Sequence, residues 1–285
     1  MYYYDNLDYC KKNMFFTGDE PKEVIQKFMK NNGFIVLKNA FNPQQISDFN
    51  SFFLLPENKK KFLDFPPATK MLPGASHIID GFEKVIAAPK ILKVLDKLIP
   101  GKIAYTSHSD LQSGVVSPWH KDDGGGKYFQ GLSDYFINDD CCVYKIGIYL
   151  RDCSDEGGLT VKVGSHRMAN YSDGDELYIT SGLGDAIFFD VRITHKGWHP
   201  KYYYNIFHQA LRKVLKKMKI LKGEGKVPFE KNSIFFSVGA LNEFTEIFSR
   251  KNMERQNKQH GRDIPVMQVN LKRSLKDKDI HCYFD

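Results

Sequence analysis

The stretch VYKIGIYLRDCSDEGGLTVKVGSH, residues 143 to 166, decides the fold class. It holds two short runs rich in β-branched and aromatic residues, which the turn-forming segment DEGG separates. Many short strands with turn signals between them favour an antiparallel sandwich or barrel over alternating strands and helices. Five further runs of the same kind lie outside this stretch: KIAYTSHSDLQ (102–112), GVVSPWHKD (114–122), ELYITSG (176–182), AIFFDVRITH (186–195) and KNSIFFSVGA (231–240).

The first hundred residues have a different, mostly helical pattern. DEPKEVIQKFMKNNG (19–33) predicts a helix that Gly33 ends, and NPQQISDFNSFF (42–53) predicts one with Asn42 as its cap and Gln45 in the capping-box position. PKILKVLDKLIPG (89–101) predicts a third helix, and FIVLKN predicts a short strand between the first two. We expect this part to pack against the strands.

Two more helices are expected after the main block of strands. NIFHQALRKVLKKMKILKG is a basic amphipathic pattern that interrupts the strands, and LNEFTEIFSRKNMERQ predicts a closing helix. Because the strands share one continuous block, we expect a single domain over 1–285. Its parts are a helical segment of about 1–101, a β core of about 102–240 with an insertion of about 202–227, and a C-terminal helix and tail of about 241–285.

Composition excludes several classes of protein. A chain that is 42% hydrophobic and 14% aromatic has enough apolar material for a core, which argues against disorder. The formal net charge of +7 is mild and suits an anionic small molecule better than nucleic acid. The basic run lacks the interleaved aromatic residues of a nucleic-acid binder. We therefore expect a small-molecule substrate and no nucleic-acid partner.

The sequence also indicates a cytoplasmic protein without a membrane partner. No apolar run approaches the length of a membrane span, and MYYYDNLDYC does not resemble a signal peptide. The five cysteines are irregularly spaced and form no CxxC motif, so reduced thiols are expected.

The segment SPWHKDDGGG (117–126) carries the candidate chemistry. On a strand, His120 and Asp122 would point to the same face, while Lys121 would point away and Asp123 would fall out of phase. Two histidines and one carboxylate on one triangular face are the ligands of non-haem Fe(II) oxygenases. By itself this pair is also compatible with a polar strand end that holds no ion.

The third ligand should lie on a later, buried strand. His195 ends the apolar run AIFFDVRITH and fits this requirement best. His199 lies past a glycine and directly before a proline, and is less suited. His108, on the preceding strand, is a candidate for contact with a ligand or the substrate. A buried histidine without a metal is the alternative reading of His195.

The order HKD, then GIYLRD…GGLTVKVGSH, then GDAIFFD…H resembles the phytanoyl-CoA dioxygenase family of Fe(II)/2-oxoglutarate-dependent oxygenases. The resemblance extends from about residue 20 to about residue 250. It implies a mainly β fold with flanking helices, built on a double-stranded β-helix (a cupin-like jelly roll). It also implies that His120, Asp122 and His195 bind Fe(II), and that 2-oxoglutarate and O₂ are consumed.

The activity that the resemblance implies is hydroxylation of an unactivated C–H bond in a small-molecule metabolite. Related halogenases leave the carboxylate position vacant for a halide, and Asp122 fills that position, which argues against halogenation. The alternative is a cupin-like binding protein that uses the same ligands to hold Zn²⁺ or Ni²⁺ without oxygenase activity.

One part of the family pattern is missing. The family places an arginine on the strand after the distal histidine, where it binds the far carboxylate of 2-oxoglutarate, and no arginine begins a strand there in this chain. Lys231 opens the returning strand and is the first candidate for this cation, ahead of Arg192 and Arg212. The basic insertion is either a lid that attracts an anionic substrate or a solvated helix.

Overall fold

The chain forms a mainly β structure with helices around it. A computed structural model describes residues 4–65, 69–114, 117–132, 134–154, 157–197 and 231–284. The strands form one large and one small sheet in the order of a jelly roll, which confirms the predicted fold class. The insertion of about 202–227, with Arg212, and His199 lie outside the described residues.

The described helices lie on both sides of the strand block in the sequence. They are α1 (Leu7–Asn13), α2 (Lys22–Asn32), α3 (Pro43–Leu54), α4 (Pro56–Lys59), α5 (Ala75–Ile78), α6 (Glu83–Ile86), α7 (Pro89–Leu98), a 3₁₀ turn (Ser165–Arg167), α8 (Glu243–His260) and α9 (Val269–Asp277). Among these, none is long and apolar enough to cross a membrane.

The described strands run from near the N-terminus to near the C-terminus. They are β1 (Phe15–Phe16), β2 (Phe34–Leu37), β3 (Leu63–Phe65), β4 (Thr69–Pro73), β5 (Ile103–Ser113), β6 (Val143–Tyr149), β7 (Leu159–Lys162), β8 (Glu176–Ile179), β9 (Ala186–Asp190), β10 (His195–Gly197), β11 (Asn232–Ala240) and β12 (His281–Cys282).

The predicted helix ends are present. At α3 the Asn42 side chain accepts from the Gln45 N–H and the Gln45 side chain accepts from the Asn42 N–H, both at 2.9 Å. This reciprocal capping box satisfies two donors that the helix cannot use itself. Helix α2 ends at Gly33, whose φ of +83° favours glycine, and a Cβ there would lie 2.5 Å from Nδ1 of His166.

The large sheet carries the scaffold of the site. Its order is β1-β2-β9-β6-β11-β5-β4-β3, with β12 also paired to β5. Strands β6 and β11 are buried along their whole length. Such strands are covered on both faces, which explains why they do not alternate between apolar and polar residues. The N-terminal segment contributes four strands to this sheet, whereas only β2 was predicted.

The small sheet has the order β10-β7-β8. Two segments next to it differ from the prediction. The described part of the run 114–122 is not a regular strand, because His120 forms an isolated bridge with His195 and Asp122 lies in a turn. The run 186–195 is interrupted, because β9 ends at Asp190 and β10 begins at His195. The chain turns between them, with the Ile193 N–H donating to the Asp190 carbonyl at 2.9 Å. This turn carries the chain from the large sheet to the small one.

Candidate metal centre

His120, Asp122 and His195 come together at one point between the two sheets. One ligand atom from each lies within 4.8 Å of the others. The backbone sets this convergence: His120 and His195 exchange two N–H···O bonds of 2.9 Å, and the Asp122 N–H donates to the Val191 carbonyl at 2.9 Å. The bridge between His120 and His195 and the hydrogen-bonded turn at Asp122 therefore bring the three side chains together, whereas the sequence predicted that strand periodicity would do so.

Hydrogen bonds to the backbone fix the tautomer of both imidazoles. Nδ1 of His120 lies 2.8 Å from the Pro118 carbonyl, and Nδ1 of His195 lies 3.0 Å from the Ile193 carbonyl. A carbonyl oxygen only accepts, so each Nδ1 carries the proton and each Nε2 keeps its lone pair. The Nε2 atoms of His120 and His195 lie 3.7 and 3.5 Å from the Asp122 carboxylate. Two ring nitrogens and one carboxylate, all of them hydrogen-bond acceptors, therefore lie close to one another.

The Asp122 carboxylate fits a metal ion. Its Oδ2 is buried and accepts no hydrogen bond from any residue that the structure describes. Burial alone would raise the pKa of Asp122, but the charge of Lys145 and the neighbouring histidines together outweigh it and hold this pKa well below its usual range. Burial, with the nearby His120, lowers the pKa of His195 to about 3. Two imidazole nitrogens and one ionised carboxylate are a donor set that suits a divalent metal such as Fe(II).

The two histidines differ in their access to solvent. The His195 side chain is only 4% exposed and the His120 side chain 36% exposed. The His195 ring packs against the Phe189 ring of β9, with centroids 4.9 Å apart, and against the His120 ring at 4.2 Å. The centre is therefore closed on the His195 side and approached from the His120 side.

The residues that flank Asp122 point elsewhere, as predicted from their phase. Lys121 donates to the backbone carbonyls of Ser165 and Arg192 at 2.6 and 2.5 Å. The Asp123 carboxylate is buried and accepts from the Gly126 N–H at 3.0 Å. Burial raises the pKa of Asp123 to about 6. Both side chains support the turn that carries Asp122.

His108 lies in the wall of the large sheet rather than among the ligands. Its Nδ1 is 2.7 Å from Ser237 Oγ, and its Nε2 is 3.2 Å from Asp110 Oδ2. A bulge in β5 places it there, because the register shifts from Phe236–Ser109 to Val238–Tyr105 and the bulge includes Ser107, with a φ of +57°. Bulges of this kind re-aim side chains near functional sites.

Lys231 lies immediately before β11 and is buried. Its Nζ is 5.3 Å from the centre of the Tyr149 ring, and burial lowers the pKa of Lys231 to about 8. The Tyr149 ring is 6.0 Å from the Phe235 ring, which in turn lies under Lys145 at 5.2 Å. Consecutive contacts along one face of the large sheet thus connect Lys231 with the candidate ligand Asp122.

Arg192 has a different environment. Its guanidinium donates two bonds to the Asp190 carboxylate, at 2.8 and 2.6 Å, and a third to the Tyr135 carbonyl at 2.6 Å. Such a two-bond pair fixes both partners. Because these partners hold the turn before His195, we do not assign Arg192 to the cosubstrate.

Lys145 is a further residue at the centre and was not predicted from the sequence. It lies in the middle of β6, and its Nζ is 3.1 Å from Asp122 Oδ1. A signal was present, because Lys145 is the single charged residue in the otherwise apolar or aromatic strand VYKIGIY. A charge at the centre of a buried strand needs a partner, and here that partner is a candidate metal ligand.

Comparison with known proteins finds solved structures that are similar in fold. No protein-family model matches the chain, and no curated protein is similar in sequence. Among solved structures, the non-heme alpha ketoglutarate dependent epimerase SnoN of nogalamycin biosynthesis aligns with a TM-score of 0.55 and 11% identity, over 77% of this chain and 82% of its own.

Two further structures align in the same way. The alpha ketoglutarate dependent carbocyclase SnoK has a TM-score of 0.54 and 12% identity, over 77% of this chain and 84% of its own. EctD from S. alaskensis, determined with bound Fe, has a TM-score of 0.50 and 16% identity, over 74% of each chain. The chain therefore has the double-stranded β-helix fold of these non-heme enzymes.

Proposed function

We propose that the protein is an Fe(II)- and 2-oxoglutarate-dependent dioxygenase that hydroxylates a C–H bond of a small molecule. The observation that carries the proposal is the convergence of His120, Asp122 and His195, with the Nε2 atoms unprotonated and Asp122 Oδ2 unpartnered among the described residues. The fold supports it, because SnoN and SnoK are alpha ketoglutarate dependent, and SnoN has been determined with Fe³⁺ and alpha ketoglutarate.

The protein's own groups would divide the work as follows. His120, Asp122 and His195 would hold the metal ion, as the two-histidine, one-carboxylate set does in non-haem Fe(II) oxygenases. The bound iron, cosubstrate and O₂ would together supply the oxidising chemistry. The carbonyls of Pro118 and Ile193 would hold the two imidazoles in the ligating tautomer throughout.

The large sheet would bind and shield the cosubstrate. Lys231 would pair with the far carboxylate of 2-oxoglutarate, and the rings of Tyr149 and Phe235 lie along the sheet between Lys231 and Lys145. A lysine offers a point charge rather than the two-pronged grip of an arginine. The apolar rings and Phe189 would limit water around the reacting atoms.

The proposal is tested by turnover of 2-oxoglutarate to succinate without a prime substrate. Apo-protein is loaded separately with Fe(II), Zn(II) and Mn(II), and succinate is measured under air. We expect succinate with Fe(II) alone, and none from Asp122→Ala. The control Asp64→Ala removes an exposed aspartate that lies 3.9 Å from the exposed Lys70, and it should behave as the unmodified protein.

Two other outcomes would contradict the proposal. Stoichiometric metal binding with no succinate for any metal would identify a cupin-like binding protein. Equal turnover by Asp122→Ala would show that the iron lies elsewhere.

A further inference from the structure

Lys145 places a positive charge directly beside the candidate metal centre. Its side chain is 9% exposed, its Nζ lies 3.1 Å from Asp122 Oδ1, and the ammonium is 5.2 Å from the centre of the Phe235 ring. Asp122 is the only carboxylate within 4.0 Å of this ammonium among the residues that the structure describes. The two oxygens of Asp122 thus differ, since Oδ1 pairs with Lys145 and Oδ2 has no hydrogen-bond partner among the described residues.

Without a metal ion, Lys145 and Asp122 balance each other. A divalent ion bound to Asp122, His120 and His195 changes this balance, because it shares the single negative charge of the carboxylate. The ligands then leave a net positive centre, and the buried ammonium adds to it. A buried group of like charges is unfavourable unless an anion joins it.

The geometry points to Lys145 as the residue that selects an anionic ligand at the metal, namely the metal-side carboxylate of a 2-oxo acid. This inference rests on the proposed function, since it requires a metal ion on His120, Asp122 and His195. Lys145 is a positioning residue for that carboxylate and for Asp122, distinct from Lys231, which would hold the far carboxylate. Its charge has two opposite effects: it weakens binding of the bare metal ion and strengthens binding of the anion.

These opposite effects are the test, because damage to the structure alone would weaken both. The main variant is Lys145→Gln, which keeps a donor for Asp122 and removes the charge. Lys145→Arg keeps the charge. The matched control is Lys38→Gln, because Lys38 also pairs with a buried aspartate, Asp185, at 2.6 Å, but in a pair that does not involve a candidate ligand.

Mn(II) is the probe because it binds without turnover. Calorimetry gives the dissociation constant of Mn(II) alone, and then those of 2-oxoglutarate and pyruvate for the Mn(II)-loaded protein. For Lys145→Gln we expect Mn(II) to bind about tenfold more tightly and both 2-oxo acids to bind about tenfold more weakly. Lys145→Arg and Lys38→Gln should keep the three constants of the unmodified protein within about threefold.

Pyruvate separates the two ends of the cosubstrate, since it has the 2-oxo acid group but lacks the far carboxylate. Equal weakening of pyruvate and 2-oxoglutarate by Lys145→Gln supports the inference. Weakening of 2-oxoglutarate alone would assign Lys145 to the far carboxylate and overturn it. Weaker binding of Mn(II) together with both acids, or no change in any constant, would also overturn it.

Failure of this inference can be distinguished from failure of the proposed function. If the unmodified protein binds Mn(II) and the 2-oxo acids but Lys145→Gln changes nothing, only the role of Lys145 is wrong. If the unmodified protein binds no Mn(II), both proposals are wrong. If Lys145→Gln does not fold, Lys145→Arg, which keeps the charge, takes its place in the test. Equal losses of Mn(II) binding and of 2-oxo acid binding in Lys145→Arg would overturn the inference.

Discussion

The candidate metal centre, here called the metal end, and the surroundings of Lys231, the cation end of the site that we propose, are held in different ways. At the metal end, backbone carbonyls hold the two imidazoles at Nδ1, and the Asp122 turn is bonded to the Val191 carbonyl. At the cation end, Lys231 is buried against the Tyr149 ring, just before β11 begins.

This difference suits what each end would bind under the proposed function. Metal coordination is directional, so each ligand atom needs a fixed orientation, which backbone hydrogen bonds provide. A lysine ammonium is a point charge whose effect depends mainly on its position and on the surrounding dielectric. We therefore expect the metal end to tolerate substitution much less than the cation end, and four measurements test this expectation.

The largest effect is expected from Asp122→Ala. This change removes the one charged candidate ligand and the carboxylate that pairs with Lys145. We expect the loss in Mn(II) affinity to exceed the roughly 10- to 100-fold that the loss of an outer partner of a ligand costs. Calorimetric titration measures it. The sequence predicts that His199→Ala costs far less, and an equal loss in that variant would place the third ligand after His195.

Next in size is the effect of Arg192→Met on stability. The change leaves the Asp190 carboxylate buried and unpaired, so we expect the free energy of unfolding to fall by about 3–5 kcal/mol. Urea unfolding measures it. The control Arg167→Met breaks a pair with Asp139, whose side chain is 59% exposed, and should cost less than about 1 kcal/mol. Equal costs would show that the turn before His195 does not depend on the Arg192 clamp.

A smaller effect concerns pH and the support behind the metal end. His166 is buried next to Ser165, whose Oγ accepts from the Thr194 N–H, and burial lowers the pKa of His166 to about 3. Between this value and the unfolded pKa of about 6.5, the unfolded chain binds the extra proton, so stability falls as the pH falls. From pH 7.5 to pH 5, His166 alone should cost about 2 kcal/mol.

The measurement is urea unfolding at both pH values for the unmodified protein and for His166→Gln. The stability lost between pH 7.5 and pH 5 should be about 2 kcal/mol smaller in the variant. His281→Gln, at an exposed position, is the control. An identical pH dependence in His166→Gln and the unmodified protein would show that His166 gains its proton in the folded state as well.

The smallest effect is expected at the cation end. Lys231→Ala should raise the dissociation constant of 2-oxoglutarate at least about tenfold, which corresponds to roughly 1.4 kcal/mol. Binding of Mn(II) and of pyruvate should stay the same, because neither needs the far carboxylate. Calorimetry on the Mn(II)-loaded protein measures all three. Unchanged 2-oxoglutarate binding would show that a cation other than Lys231 binds the far carboxylate.

Local signals in the sequence predicted much of the architecture. The Asn42–Gln45 box and the stop at Gly33 depend on interactions within a few residues, so their residue types identify them. The main block of strands was predicted because its β-branched and aromatic residues and its turn residues are visible in the local composition. Strands β3, β4 and β12 were missed because short strands are stabilised by pairing with β5 or with one another, which local composition does not record.

The sequence alone determined the strand-rich core and the candidate ligands His120, Asp122 and His195, because residue type and order along the chain carry that information. Only the tertiary structure decided how they meet. The bridge between His120 and His195, the Asp122 turn and the Lys145–Asp122 pair each join residues that are distant in the sequence. Such contacts depend on the relative placement of the two sheets, and a charge inside a buried strand acquires its role only from the group that the fold places opposite it.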